Sequence, residues 1–465
     1  MRNPSNPLYS LVEPITLAVL CSILLLAKSR AATITTTSAS FSDVSAAVSS
    51  AARGDTVRVR AGSAMWDGNT LSLTKGISLL GAGRDSTILI GNGVLISIAP
   101  DRTAITNEET IRVEGFTFDG NNAALNSIKV FGARAASTKP FKNLAVGNNR
   151  FRNMSNQTSG SGVFYTFGQV RGVIFGNIFD RCNVILKIMG NDDTREWSNG
   201  HFPQSYGTSD NLFFENNTIQ YSSTFSGGDP GWIESGQGGR IVVRYNTFNF
   251  AYAKCSEYWD IHGFQNWPGN GQTGTMVVEY YGNTLTNTSG YRWIAHRGGW
   301  GLFYNNIMPG SNGGAIHAQQ YGPNDSGGSG CTADVPGASG HYVTEINNTY
   351  AFNNTNKDTI DDMVRTFNSC GVAENVSFWN YNPSFNGTAG IGRGTTPPTG
   401  NCTVGVAYWK ASPPTPTTDP NVIQNGTLYK CLSTNAWTAY YTPYTYPHPL
   451  RHSQVSAPGN LHIIP

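Results

Sequence analysis

Five short segments each set ionisable or indole side chains beside an isoleucine: Leu186-Lys-Ile-Met189, Trp232-Ile-Glu234, Asp260-Ile-His262, Trp293-Ile-Ala-His-Arg297 and Ile316-His317. If Ile188, Ile233, Ile261, Ile294 and Ile316 face a core, strand alternation sends their neighbours outward. The outward set is then Lys187, Met189, Trp232, Glu234, Asp260, His262, Trp293, Arg297 and His317. Imidazole titrates near neutrality, so His262 is the candidate base, with Lys187 as the substitute. Arg297 offers a permanently charged fork for a carboxylate. Removing a proton beside a carboxylate becomes feasible once arginine or a cation neutralises it, which is the chemistry of β-elimination on a uronic acid. Arg297 then neutralises the carboxylate or protonates the leaving group. Lys187, Trp232, Trp293, His317 and His296 are the candidate substrate-binding groups. Glu234 and Asp260 have the spacing for a shared calcium ion; the other reading is a like-charge pair relieved by Arg240. Arg240, directly after Gly238-Gly239, is either a second catalytic carboxylate clamp or a plain strand residue. Singly, each of these residues has an ordinary reading: a solubilising charge, a tryptophan under a loop, a surface histidine. The argument for a site is that they fall in one column.

Such a column needs stacked strands, and the chain supplies a repeat that makes them. Strand-like runs end in Asn149-Arg-Phe151, Asn177-Ile-Phe179, Asn217-Thr-Ile219, Asn246-Thr-Phe248, Asn283-Thr-Leu285, Asn306-Ile-Met308 and Asn348-Thr-Tyr350. A constant motif at variable intervals marks a solenoid whose coils share one cross-section while loops of different length leave at a corner. Asparagine suits the bend, tolerating a left-handed backbone and bonding through its amide to the next coil. Five coils spaced by roughly 4.8 Å spread the ionisable column over roughly 20 Å, a groove for several sugar residues.

The chain divides on composition into four parts. Residues 1–32 hold the apolar run Ile15–Ala27 followed by Ser-Arg-Ala-Ala, which reads as a secretory signal and is too short to span a bilayer. Residues 33–62 form an N-terminal cap, with a helix starting at Ser42 as N-cap and a first strand within Gly54–Gly62. Residues 63–390 form the solenoid. Residues 391–465 begin Pro/Thr-rich and end aromatic through Tyr446-Pro-His-Pro-Leu450, a closing cap folded on the last coils or an aromatic sugar-binding tail. The net charge of +2 gives no reason to expect nucleic acid as a partner. Nothing after the leader could cross a membrane, and the expectation is a secreted monomer. Outside the leader six cysteines remain, and Cys402 with Cys431 and Cys331 with Cys370 are favoured as disulfides because each pair closes one local segment. Cys182 and Cys255 stand about two coils apart, roughly 10 Å and long for a bridge.

The asparagine repeat, the helix before Gly54-Asp-Thr-Val57 and the Gly81-Ala-Gly83 turn together resemble the pectin-lyase-like superfamily. That resemblance implies an all-β, right-handed parallel β-helix with a short N-terminal capping helix and an irregular C-terminal cap, acting on an acidic polysaccharide. Ile294-Ala-His-Arg-Gly-Gly299 faintly resembles the Leu-Arg-His-Gly coil of alginate and chondroitin lyases. Their preceding Asn-Lys-Ser coil has no counterpart, His262-Gly-Phe-Gln-Asn266 standing in its place. The motifs of polygalacturonase-type hydrolases are missing. A uronic-acid lyase is therefore the leading expectation, followed by a non-catalytic carbohydrate-binding β-helix and then a hydrolase.

Overall fold

Each coil turns on an asparagine. The amide and Nδ2 of Asn149 both donate to Oδ1 of Asn177, at 3.0 and 3.2 Å, while the same Nδ2 donates back to the Val113 carbonyl. The pattern repeats through Asn217, Asn246, Asn283 and Asn306, so one buried side chain ties each coil to the coils on both sides. The final rung differs from the sequence reading. Asn354 accepts from Asn306, at 3.1 and 2.9 Å, and Asn348 lies instead within the strand Asn347–Phe352. The left-handed residue is also not the ladder asparagine but the one before it: Asn148, Gly176, Asn216, Tyr245, Gly282, Asn305 and Asn353 all have positive φ. The Asn-Asn doublets thus divide the labour, the first residue supplying the bend and the second the ladder.

This computed structural model describes residues 31–452 except 123–126, 133–138, 155–160, 191–203, 226–229, 254–257, 264, 268–269, 273, 287–292, 308–315, 320–344, 357–358, 361–363, 367–370 and 413–424. Parallel sheets of twelve, ten and eight strands surround one interior as a right-handed parallel β-helix. On the eight-stranded sheet Phe118, Phe151 and Phe179 occupy one register and stack at 5.0 and 5.1 Å between ring centroids. Ile219, Phe248 and Leu285 continue that column. Stacking like on like lets each coil bury its inner side chains against the next. The capping helix Phe41–Ser50 begins two residues earlier than expected, with Ser40 as N-cap, and lays Val44, Ala47 and Val48 over the open end of the core.

From Val170–Phe175 through Val277–Tyr281 the strands of the twelve-stranded sheet are buried on both faces, unlike Thr33–Thr35 and Thr56–Val59 at its N-terminal end. All five residues of Arg240–Arg244 are buried, so that strand is not alternating as an exposed wall would be. Its outer face carries Val173, Phe213, Val242, Tyr281 and Tyr304 in a second apolar cluster. The C-terminal region covers them. Strands Ile391–Gly394, Ala407–Ala411, Gly426–Ser433 and Ala436–Tyr441 form a small sheet stapled by Cys402–Cys431. The tail then runs back across the coils: Tyr441 donates to Glu279 at 3.0 Å, Arg244 donates to the Tyr444 carbonyl at 2.8 Å, the His448 amide donates to Glu215 at 3.0 Å, and Arg112 bonds the Leu450 carbonyl. It is a lateral strap along the body rather than a lid on the final coils. Cys182 is a buried free thiol, and the Cys331–Cys370 pairing and the apolar leader run lie outside the described residues. Among the described residues no helix is long and apolar enough to cross a membrane.

Candidate active site

The ten-stranded sheet carries the ionisable groups, and its register decides which of them meet. Lys187 pairs with Glu234, Glu234 with Asp260, Asp260 with Ala295, and Ala295 with His317. These positions form one outward column. The isoleucines, however, split between two inner columns, one of Leu186, Ile233, Trp259, Ile294 and Ile316, the other of Ile188, Ser235, Ile261, His296 and Ala318. Aligning Ile188, Ile261 and Ile294 therefore slipped the register by two residues in places, and a two-residue slip keeps each side chain on its face.

Within the outward set the side chains make a continuous network. Lys187 Nζ donates to both Glu234 oxygens at 2.6 and 2.8 Å. Arg297 Nε donates to Asp260 Oδ1 at 2.8 Å, and its Nη2 reaches Oδ2. His262 Nε2 sits among them, 2.9 Å from Asp260 Oδ2, 3.3 Å from Glu234 Oε1 and 3.2 Å from Arg297 Nη2. Two carboxylate oxygens around one ring nitrogen favour a proton there, so Nε2 donates and Nδ1 is left as the acceptor. The carboxylates are buried while the His262 side chain is 21% exposed, so the imidazole is the network's opening to solvent. Burial opposes the charge of Asp260, but Arg297 and then His262 overcome it and hold its carboxyl well below the usual range. Gly236 lies beside the ring, where an added Cβ would stand 3.3 Å from His262 Cβ.

Other expected members lie elsewhere. Trp293 is fully buried in the main core, because the strand begins only at Ile294 and alternation does not yet govern the corner before it. His296 points inward beside Phe303, with Nε2 3.1 Å from Thr349 Oγ1, and burial pushes its pKa down to about 3. It is a core histidine, not a substrate contact. Arg240 belongs to the twelve-stranded sheet, buried, and the cations on Glu234 and Asp260 are Lys187 and Arg297. Trp232 is half-buried at the head of its strand, and His317 is buried in the outward column, which continues one strand further to Arg365. Gly299 has φ of +80° and no room for a Cβ against the Thr275 carbonyl, so the turn itself requires it.

Calcium needs six to eight oxygen ligands. The two carboxylates here are already engaged by Lys187, Arg297 and His262, and no metal-ligating group of three or more His, Cys, Asp or Glu occurs among the described residues. This donor set does not fit calcium. Counting back one coil from Lys187 reaches Tyr165, an outward residue the isoleucine alignment missed. Its ring lies 6.0 Å from Lys187 Nζ, and burial followed by the Glu234 charge pushes its hydroxyl up to about 12.

No protein-family model matches this chain, and no curated protein matches it. Among solved structures, it is similar to ORF18 of Geobacillus virus E2 at 14% identity and a TM-score of 0.37. That alignment covers 67% of this chain and 62% of the phage chain.

Proposed function

We propose that this protein is an exported polysaccharide lyase that cleaves a uronic-acid-containing chain by β-elimination. The observation carrying this reading is the partly exposed His262 imidazole, oriented by buried Asp260 at 2.9 Å and flanked by the Arg297 guanidinium at 3.2 Å. In this mechanism Arg297 faces the uronate carboxylate and Nδ1 of His262 takes the proton from the adjacent carbon. The carbon–oxygen bond to the leaving sugar breaks, its electron pair goes to the leaving oxygen, and a carbon–carbon double bond forms in the ring. The imidazolium, steadied by Asp260 and Glu234, is the nearest proton donor for that oxygen. Lys187, bound by both Glu234 oxygens, holds Glu234 in place and takes no proton in this mechanism.

The test is incubation with pectate, alginate and chondroitin, with and without a chelator, following the ultraviolet absorbance of the unsaturated product. His262→Ala should lower the rate at least about 100-fold. Reducing ends without absorbance would make the protein a hydrolase, and neither signal would leave a binding wall. Full activity in His262→Ala sinks the assignment of the base.

A further inference from the structure

The wall that holds the ionic network continues toward the N-terminus, and its character changes over the next two coils. The column through Arg297 and His262 runs back past Gly236 and Met189 to Phe167 and then Phe131. The parallel outward column runs back from Glu234 and Lys187 to Tyr165 and Lys129. Phe131 and Phe167 are half-buried and stack at 5.5 Å, nearly parallel at 6°. Tyr165 packs on Phe167 at 4.0 Å between centroids, and Lys129 Nζ lies 6.0 Å from the Tyr165 ring on the side opposite Lys187. Aromatic rings on the outer face of a sheet contribute nothing to the interior stack, and here two of them lie in the column of the candidate base and the third in the column beside it.

We propose that Phe131, Tyr165, Phe167 and Lys129 form a binding platform for the sugar rings of an acidic polysaccharide, extending the catalytic groove toward the N-terminal end of the solenoid. Flat half-buried rings present apolar faces that match the CH-rich face of a pyranose. Lys129 supplies the cation for a uronate carboxylate on the same sugar. Phe167 lies three coils from His262, roughly 14 Å, and Gly236 keeps the floor between them low. A chain threaded along the wall reaches from the platform to the base with two or three sugar residues between. This inference rests on the polysaccharide reading of the ionic network, but its readout is binding, not turnover.

The experiment titrates the full protein calorimetrically with oligogalacturonates, oligoalginates and chondroitin oligosaccharides of two to eight residues, and with neutral xylo-oligosaccharides as control. For the acidic oligosaccharide that binds, affinity should rise with length up to about six residues. Phe167→Ala and Phe131→Ala should each weaken the longer oligomers about tenfold while leaving the shortest unchanged. Lys129→Ala should remove the preference for acidic over neutral chains, and Tyr165→Phe, which keeps the ring, should bind like the parent. Length dependence unchanged in Phe167→Ala and Lys129→Ala overturns the platform while elimination can still stand. Length-dependent binding lost in Phe167→Ala without any unsaturated product supports the platform and removes the lyase. Failure of the unaltered protein to bind any acidic oligosaccharide overturns both.

Discussion

At the scale of single residues, the unusual fact is that four charges are packed together and nearly dry, with one histidine as their edge. Lys187 and Arg297 balance Glu234 and Asp260, so removing any one takes the main counter-charge from a buried partner. Asp260→Ala removes the carboxylate that Arg297 grips through Nε and Nη2 and should cost about 3–5 kcal/mol in urea unfolding. Asp260→Asn keeps the shape but gives His262 Nε2 an amide in place of a carboxylate. If His262 is the base, elimination by Asp260→Asn should fall by at least about 100-fold with little change in substrate binding, read as a loss in kcat with KM retained. A loss confined to KM would instead make Asp260 a binding group. His262, Arg297 and Asp260 were legible because their types and alternation show in the sequence. His296 shares that segment and went inward, since it lies two residues after buried Ile294 and parity puts both on one face.

At the scale of elements, the asparagine ladder carries the order of the coils. Asn246 lies mid-ladder: its Oδ1 accepts from the Asn217 amide and Nδ2, and its Nδ2 donates to the Phe214 carbonyl and Asn283 Oδ1. Asn246→Ala leaves several of these groups buried without partners and should destabilise by about 3 kcal/mol or more in chemical denaturation. Asn354→Ala, on the terminal rung, should cost less, because no described rung follows it. Equal losses at both positions would show that the ladder's bonds act independently rather than as a chain. Asn149, Asn217 and Asn306 were visible as a repeating motif, but the separate task of the residue before each was not. Backbone sign at a turn follows from how the coil closes, and Tyr245 taking the same left-handed position shows that composition alone does not mark it.

At the scale of the whole molecule, the C-terminal sheet and strap make the outer face of the twelve-stranded sheet a second core. Glu279 is buried beneath it, accepting from the Gly207 amide at 2.8 Å and from Tyr441 at 3.0 Å. Burial, only partly offset by those bonds, pushes its pKa up to about 7 from 4.5. A carboxyl raised on folding favours the folded state most below about pH 4.5 and loses that contribution as pH rises to about 7. The size of the loss is at most about 3 kcal/mol. Glu279→Gln should therefore flatten the fall in melting temperature between pH 5 and 7 while leaving the rest of the profile unchanged. The Cys402–Cys431 bridge closes a span of 29 residues in this region. Its reduction should cost about 3–4 kcal/mol and expose Phe213 and Tyr304 to a hydrophobic dye.

The sequence by itself determined the solenoid, the alternation that sends Lys187, Glu234, Asp260, His262 and Arg297 outward, and the local Cys402–Cys431 staple. Those follow from patterns of period two, from a recurring turn residue and from short-range closure, all of which are local. Only the tertiary structure decided which coil residues stand side by side, that Arg240 and Trp293 leave the site, and that the tail runs back along the body. Register between coils depends on loops of unequal length, and the strap depends on contacts such as Arg112 with Leu450, far apart along the chain. A linear pattern carries no measure of either.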